Sequence, residues 1–112
     1  MIVGVGCDIV EIKRIDELLA KGLAQRILTD REYQQFKLLP ASRQTEWLAG
    51  RFAAKEAIYK ALPQCKLVIS QIEIAVNQDK PVCTIEGFQI HLSIAHEKEY
   101  AIAYAVCEIK NQ

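Results

Sequence analysis

With 112 residues, 51% of them hydrophobic and 25% charged, the chain has the size of one domain, expected to span residues 1–112 around its own core. Fourteen basic side chains balance fourteen acidic ones, and that neutrality argues against a nucleic-acid protein, which usually carries a basic excess. Its apolar runs are too short to span a membrane. The start MIVGVGCD lacks the basic region and cleavage site of a secretory leader. Four scattered cysteines (Cys7, Cys65, Cys83, Cys107) form no C-x-x-C pair. Free thiols in a cytoplasmic protein fit that pattern better than zinc ligation.

Ile2 to Cys7 is β-branched and glycine-containing, and reads as an opening strand with Asp8 at its end, on the side of Gly4 and Gly6. The third glycine of a dinucleotide loop is missing and the other two lie inside the strand, so a dinucleotide site is rejected. Ile12, Ile15, Leu18 and Leu19 predict a helix over 9–20, with Gly22 as its stop. Lys13 and Arg14 sit near the start of that helix, where the macrodipole disfavours a cation. A solvated basic edge is the ordinary explanation; a partner surface is the other.

Thr29-Asp30-Arg31-Glu32 is a capping box that opens a short helix ended by Pro40. Ser42 then offers an N-cap for a long helix closed by Pro63. Within it, WLAGRFAAKEAIYKAL carries a small-residue face (Gly50, Ala53, Ala54, Ala57, Ala61) and large apolar residues around much of the rest. A helix so apolar is a buried one. Glu56 and Lys60 lie one turn apart on it, with Arg51 and Lys55 on another edge. An exposed Glu56–Lys60 pair is the plain reading; charge carried inward for an ion or a ligand is the alternative.

Past Cys65 the period becomes two. Ile72, Ile74 and Val76 alternate with Glu73 and Ala75, Asn77 to Pro81 is turn chemistry, and strands are predicted over 82–85, 88–96 and 100–109. The sum is an α+β domain, an antiparallel sheet packed around a long central helix. Tyr100-Ala-Ile-Ala-Tyr-Ala-Val106 is apolar enough to predict burial of both faces of its strand. Two carboxylates distant in sequence, Asp8 and Glu56, suit Mg²⁺, which takes one or two protein carboxylates and completes its shell with water and phosphates. Lys60 would then face the same phosphates. His91 and His96, five apart on a strand, point to opposite faces and make a poor metal pair.

Three segments, GVGCDIVEIKRI, AGRFAAKEAIYKAL and HLSIAH…YAIAYA, resemble the signatures of the holo-acyl-carrier-protein synthases, the short 4′-phosphopantetheinyl transferases. RILTDRE and the NQDKP turn resemble the same family, and the likeness runs in order along nearly the whole chain. It implies transfer of phosphopantetheine from coenzyme A to a serine hydroxyl of an apo-acyl carrier protein, with release of 3′,5′-ADP, in fatty-acid biosynthesis. It implies Mg²⁺ on Asp8 and Glu56, with Lys60 completing the catalytic set on the pyrophosphate. Arg43, Arg51 and His96 match groups around the nucleotide and its 3′-phosphate, and Arg14 a position that meets the carrier protein. The general base stays open between Glu56 and a water on the metal. The compact members of the family form homotrimers with sites between protomers. A carrier-binding module with little activity, and a transferase serving a secondary-metabolite carrier, are the competing readings.

This chain departs from the family pattern twice. Pro63-Gln64-Cys65-Lys66 replaces a glycine-rich loop, and Ser93-Ile94-Ala95-His96 lacks one hydroxyl of the usual motif. Proline offers no N–H to a phosphate and fixes its φ. The altered loop therefore predicts weaker coenzyme A binding and a larger part for Lys60 and Lys66.

Overall fold

The computed structural model describes residues 1–110; Asn111 and Gln112, the end of the expected 1–112 domain, lie outside the described residues. The elements run β1 (Ile2–Glu11), α1 (Ile12–Leu19), α2 (Leu23–Ile27), α3 (Asp30–Leu38) and α4 (Ala41–Ala61). They continue through 3₁₀ turns at Pro63–Cys65 and Ile69–Gln71 to β2 (Ala75–Asn77), β3 (Lys80–Val82), β4 (Thr84–Ile85), β5 (Phe88–His96) and β6 (Tyr100–Ile109). An antiparallel sheet in the order β1-β6-β5-β4 stands against α4, and β2 and β3 form a separate hairpin. Helices with an antiparallel sheet make this the expected α+β fold.

Helix and sheet meet closely because both contribute small residues. On α4 these are Gly50, Ala53, Ala54, Ala57 and Ala61, all buried. On β6 they are Ala101, Ala103, Ala105 and Cys107, each no more than 1% exposed. Gly4 and Gly6 of β1 have the same cause. A Cβ on Gly4 would lie 1.8 Å from the Ala61 carbonyl oxygen, and one on Gly6 would lie 1.9 Å from that of Ala57. The glycines serve backbone approach, not phosphate binding, which accounts for their place inside the strand.

Several boundaries differ from the sequence reading. β1 continues to Glu11, so Asp8 lies within the strand and α1 begins only at Ile12. The ladder to β6 explains this: Asp8 pairs with Ala103, Ile9 with Ile102 and Glu11 with Tyr100, which holds extended what periodicity assigned to a helix. α2 escaped notice because five residues are too few to show a period. α4 begins at Ala41 with Pro40 in the cap position, not Ser42. Pro40 has no side-chain acceptor to offer; its carbonyl accepts from the Arg43 N–H at 2.9 Å and so opens the first turn. Ile72 and Ile74 are buried outside any strand, and the hairpin is confined to 75–82. Gln78 and Asp79 turn it with φ of 52° and 64°, the double left-handed conformation of a tight hairpin. The capping box is present as expected, with Thr29 accepting from the Glu32 N–H and Glu32 from the Thr29 N–H.

β6 does not bury both faces within one chain. Its inner alanines are sealed under α4, while Ile102 and Tyr104 on the outer face are 40% and 49% exposed. Val5 and Ile9 of β1 are exposed beside them.

Candidate functional site

The inner face of the sheet and α4 position nearly all the expected site residues. Asp8, Ala103 and Ile94 fall opposite one another across β1, β6 and β5. To the β1 side, Asp8, Glu56 and Arg14 line one cavity of about 490 Å³ together with Ile15, Leu18 and Phe52. To the β5 side, Arg43, Arg51 and His96 line a smaller hollow of about 130 Å³ with Trp47 and Gly50.

Beside the first cavity Lys60 is the surprise. Its ammonium does not pair with Glu56 along the helix but crosses to β1, donating to Asp8 Oδ1 at 2.8 Å and to the Cys7 carbonyl at 3.3 Å. The i, i+4 pair expected from the sequence is thereby corrected. Asp8 lies nearer to the ammonium's reach because β1 is drawn against α4 at Gly4 and Gly6. The hydrogen bond to Asp8 and then its charge raise the Lys60 pKa. Burial first, and next the negative charge of Asp8, push the Glu56 carboxyl above its usual range, with Lys60 opposing. Two carboxylates close enough to feel each other, on rigid elements beside a hollow, form a place where a cation is wanted. Among the described residues no group of three His, Cys, Asp or Glu is gathered to hold a metal ion. The site offers two oxygen-donor side chains and leaves room for other ligands, a donor set that fits Mg²⁺.

The second hollow is cationic and flat-walled. The Arg51 guanidinium lies over the Trp47 ring, 4.3 Å from its centroid. Its Nε is buried without a hydrogen-bond partner, one donor not used within the chain. Burial lowers the Arg51 pKa, and the charge of Glu32 opposes that pull. His96 Nε2 stands 3.0 Å from Glu46 Oε1, both half exposed. His91 points to the opposite face, as its spacing from His96 requires, and pairs there with Glu108. Lys66, a left-handed residue with φ of 49°, stands in the wall of another cavity with Cys65, Leu67 and Thr84, and the structure does not bring it to Asp8.

Sequence reasoning missed a buried ion pair. Lys55 is fully enclosed; its ammonium donates to Glu32 Oε1 at 2.5 Å, to the Ile27 carbonyl at 2.8 Å and to the Ile69 carbonyl at 3.3 Å. Burial pulls the Lys55 pKa down, and Glu32 works against it. The signal was present: Lys55 sits among Ala53, Ala54 and Ala57, in the small-residue part of the helix.

A basic, aromatic-walled hollow and a carboxylate–lysine cluster, both on α4 and the inner face of the sheet, have the chemistry to take an anionic ligand together with a cation. A family model described as the 4′-phosphopantetheinyl transferase superfamily matches residues 4–105. A holo-[acyl-carrier-protein] synthase of Geobacillus kaustophilus is 48% identical, over 96% of this chain and 90% of its own. The crystal structure of a holo-(acyl-carrier-protein) synthase from Bacillus anthracis in complex with CoA (3′,5′-ADP) superposes with a TM-score of 0.90 at 43% identity, covering 98% of this chain and 99% of that one. The holo-[acyl-carrier-protein] synthase of Neisseria meningitidis gives 0.86 at 33% identity, covering 96% and 99%. The chain belongs to the 4′-phosphopantetheinyl transferase superfamily and, within it, to the holo-acyl-carrier-protein synthases.

Proposed function

We propose that this chain, acting as one domain over 1–112, transfers 4′-phosphopantetheine from coenzyme A to a serine hydroxyl of an apo-acyl carrier protein, leaving 3′,5′-ADP. The observation that carries this reading is the meeting of Asp8, Glu56 and Lys60 across β1 and α4 in a chain so similar to a synthase crystallised with CoA (3′,5′-ADP). Asp8 and Glu56 would hold Mg²⁺, which supplies neutralisation of charge on the pyrophosphate as the attacking and leaving oxygens exchange. Lys60 contacts the pyrophosphate. Arg51 and Arg43 bind the nucleotide end and its 3′-phosphate, where a planar, always-charged guanidinium suits a phosphate, and His96 adds a donor. Arg14, on the rim of the Asp8 cavity, meets the acidic carrier protein.

The exposed apolar strip of Val5, Ile9, Ile102 and Tyr104 supports assembly as a homotrimer with sites between protomers, because burying such a strip is favourable at about 25 cal/mol per Å². No helix of the described residues is long and apolar enough to cross a membrane; the reading places the enzyme in the cytoplasm, in fatty-acid biosynthesis. The test is direct: incubate the protein with coenzyme A, Mg²⁺ and apo-carrier protein, then weigh the carrier. A mass gain of one phosphopantetheine, lost on omission of Mg²⁺, is the expected result. An unchanged carrier with tight binding would make the protein a carrier-binding module.

A further inference from the structure

The pairing of Lys60 with Asp8 carries a consequence for how the site is loaded. The two partners are unequal: the Asp8 side chain is 15% exposed and held in a sheet, whereas Lys60 is 52% exposed on a flexible four-carbon stem. The ammonium gathers two oxygens of β1, the Asp8 carboxylate at 2.8 Å and the Cys7 carbonyl at 3.3 Å. It thus takes up Oδ1, one of the two carboxylate oxygens that Asp8 can offer a divalent cation. A hard cation and this ammonium compete for one carboxylate.

We propose that Lys60 is a placeholder cation, seated on Asp8 until a divalent ion and coenzyme A arrive together. Resting on the Mg²⁺ reading above, this makes Lys60 a positioning residue before it is a phosphate ligand. Displaced by the ion alone, the ammonium loses its carboxylate and gains only water. Displaced in the presence of coenzyme A, it moves to the pyrophosphate. Ion and coenzyme A therefore bind with positive coupling, and by linkage each strengthens the other equally. Glu56, one turn earlier on α4 and lining the same cavity as Asp8, stays in place and supplies the second carboxylate.

Calorimetric titration with Mn²⁺ as the probe tests this without reference to turnover. Four proteins are compared, wild type, Lys60→Gln, Lys60→Arg and Asp8→Ala, each with and without coenzyme A. Without coenzyme A, Lys60→Gln should bind Mn²⁺ about fivefold more tightly than wild type, the scale on which a half-exposed ion pair opposes displacement. Lys60→Arg should stay within about twofold of wild type, since it keeps a cation on Asp8. Coenzyme A should then improve Mn²⁺ binding less in Lys60→Gln than in wild type. The gain should shrink in about 1 M KCl, since a half-exposed pair is partly screened, without vanishing, because screening acts beyond about 3 Å and the contact is 2.8 Å. A gain that vanishes in salt would reduce the effect to distant charge and overturn the displacement. Unchanged or weaker Mn²⁺ binding by Lys60→Gln, with binding abolished in Asp8→Ala, would refute the placeholder and leave the metal site standing. Wild-type binding by Asp8→Ala would refute both.

Discussion

Two lysine–carboxylate pairs leave the same helix five residues apart and serve opposite ends. Lys55 meets Glu32 in full enclosure, 0% and 1% exposed, while Lys60 meets Asp8 at the edge of a cavity, 52% and 15% exposed. Around the buried pair the acceptors and donors are answered. Lys55 has three oxygens, and Glu32 also accepts from the N–H groups of Thr29 and Ile74. Thr29 in turn donates to Glu73 at 2.7 Å. That network joins α2, α3, α4 and the 69–74 segment, and has no valence left for a ligand. The open pair is incomplete by the same measure, since a half-exposed ammonium and a carboxylate beside a cavity can both change partners. Burial and completeness, not residue type, separate a clamp from a pair free to exchange partners.

The largest effect should come from breaking the clamp. Glu32→Ala leaves an uncompensated buried ammonium and should cost about 3–5 kcal/mol, much of the roughly 5–15 kcal/mol that holds a domain folded, read from urea denaturation midpoints. Replacing both partners, Lys55→Met with Glu32→Leu, should be far milder, because no charge is stranded. Asp8→Ala and Glu56→Ala should do the reverse, with melting near wild type and transfer to apo-carrier protein reduced by at least about a hundredfold. Gly6→Ala tests the approach that brings the open pair's elements, β1 and α4, together. A Cβ 1.9 Å from the Ala57 oxygen must part strand from helix, at about 1–3 kcal/mol and with loss of Mn²⁺ affinity. Arg14→Glu should have the smallest effect on the molecule itself. It should slow carrier-protein association about tenfold at low salt and less at high salt, with coenzyme A affinity unchanged by calorimetry.

The open pair was more legible in sequence than the closed one. Asp8, Glu56 and Lys60 stood out because polar residues interrupt apolar, glycine-rich or alanine-rich segments, and the family resemblance then gave them roles. Their geometry was not legible. Nothing in a spacing of four told Lys60 to leave Glu56 for Asp8; that choice depends on β1 lying against α4. Glu32 was read only as half of a capping box, yet its carboxylate also answers Lys55 and Ile74. Long-range pairing of this kind is invisible to local pattern. β1 was read four residues short because its last residues are held extended by β6, about ninety positions away, as in the pairing of Glu11 with Tyr100. The outer face of β6 was judged buried from its composition, and within one chain it is open. Light scattering at micromolar concentration should return three times 12.7 kDa if copies of the chain cover it.

The division of labour between the two pairs is tested most directly by mass spectrometry of carrier protein treated with two variants, each normalised to its folded fraction. The account expects the Lys55→Met, Glu32→Leu double variant to keep transfer within about threefold of wild type, and Asp8→Ala to lose at least about a hundredfold. Near-normal transfer by Asp8→Ala, or a hundredfold loss in the folded double variant, would contradict it.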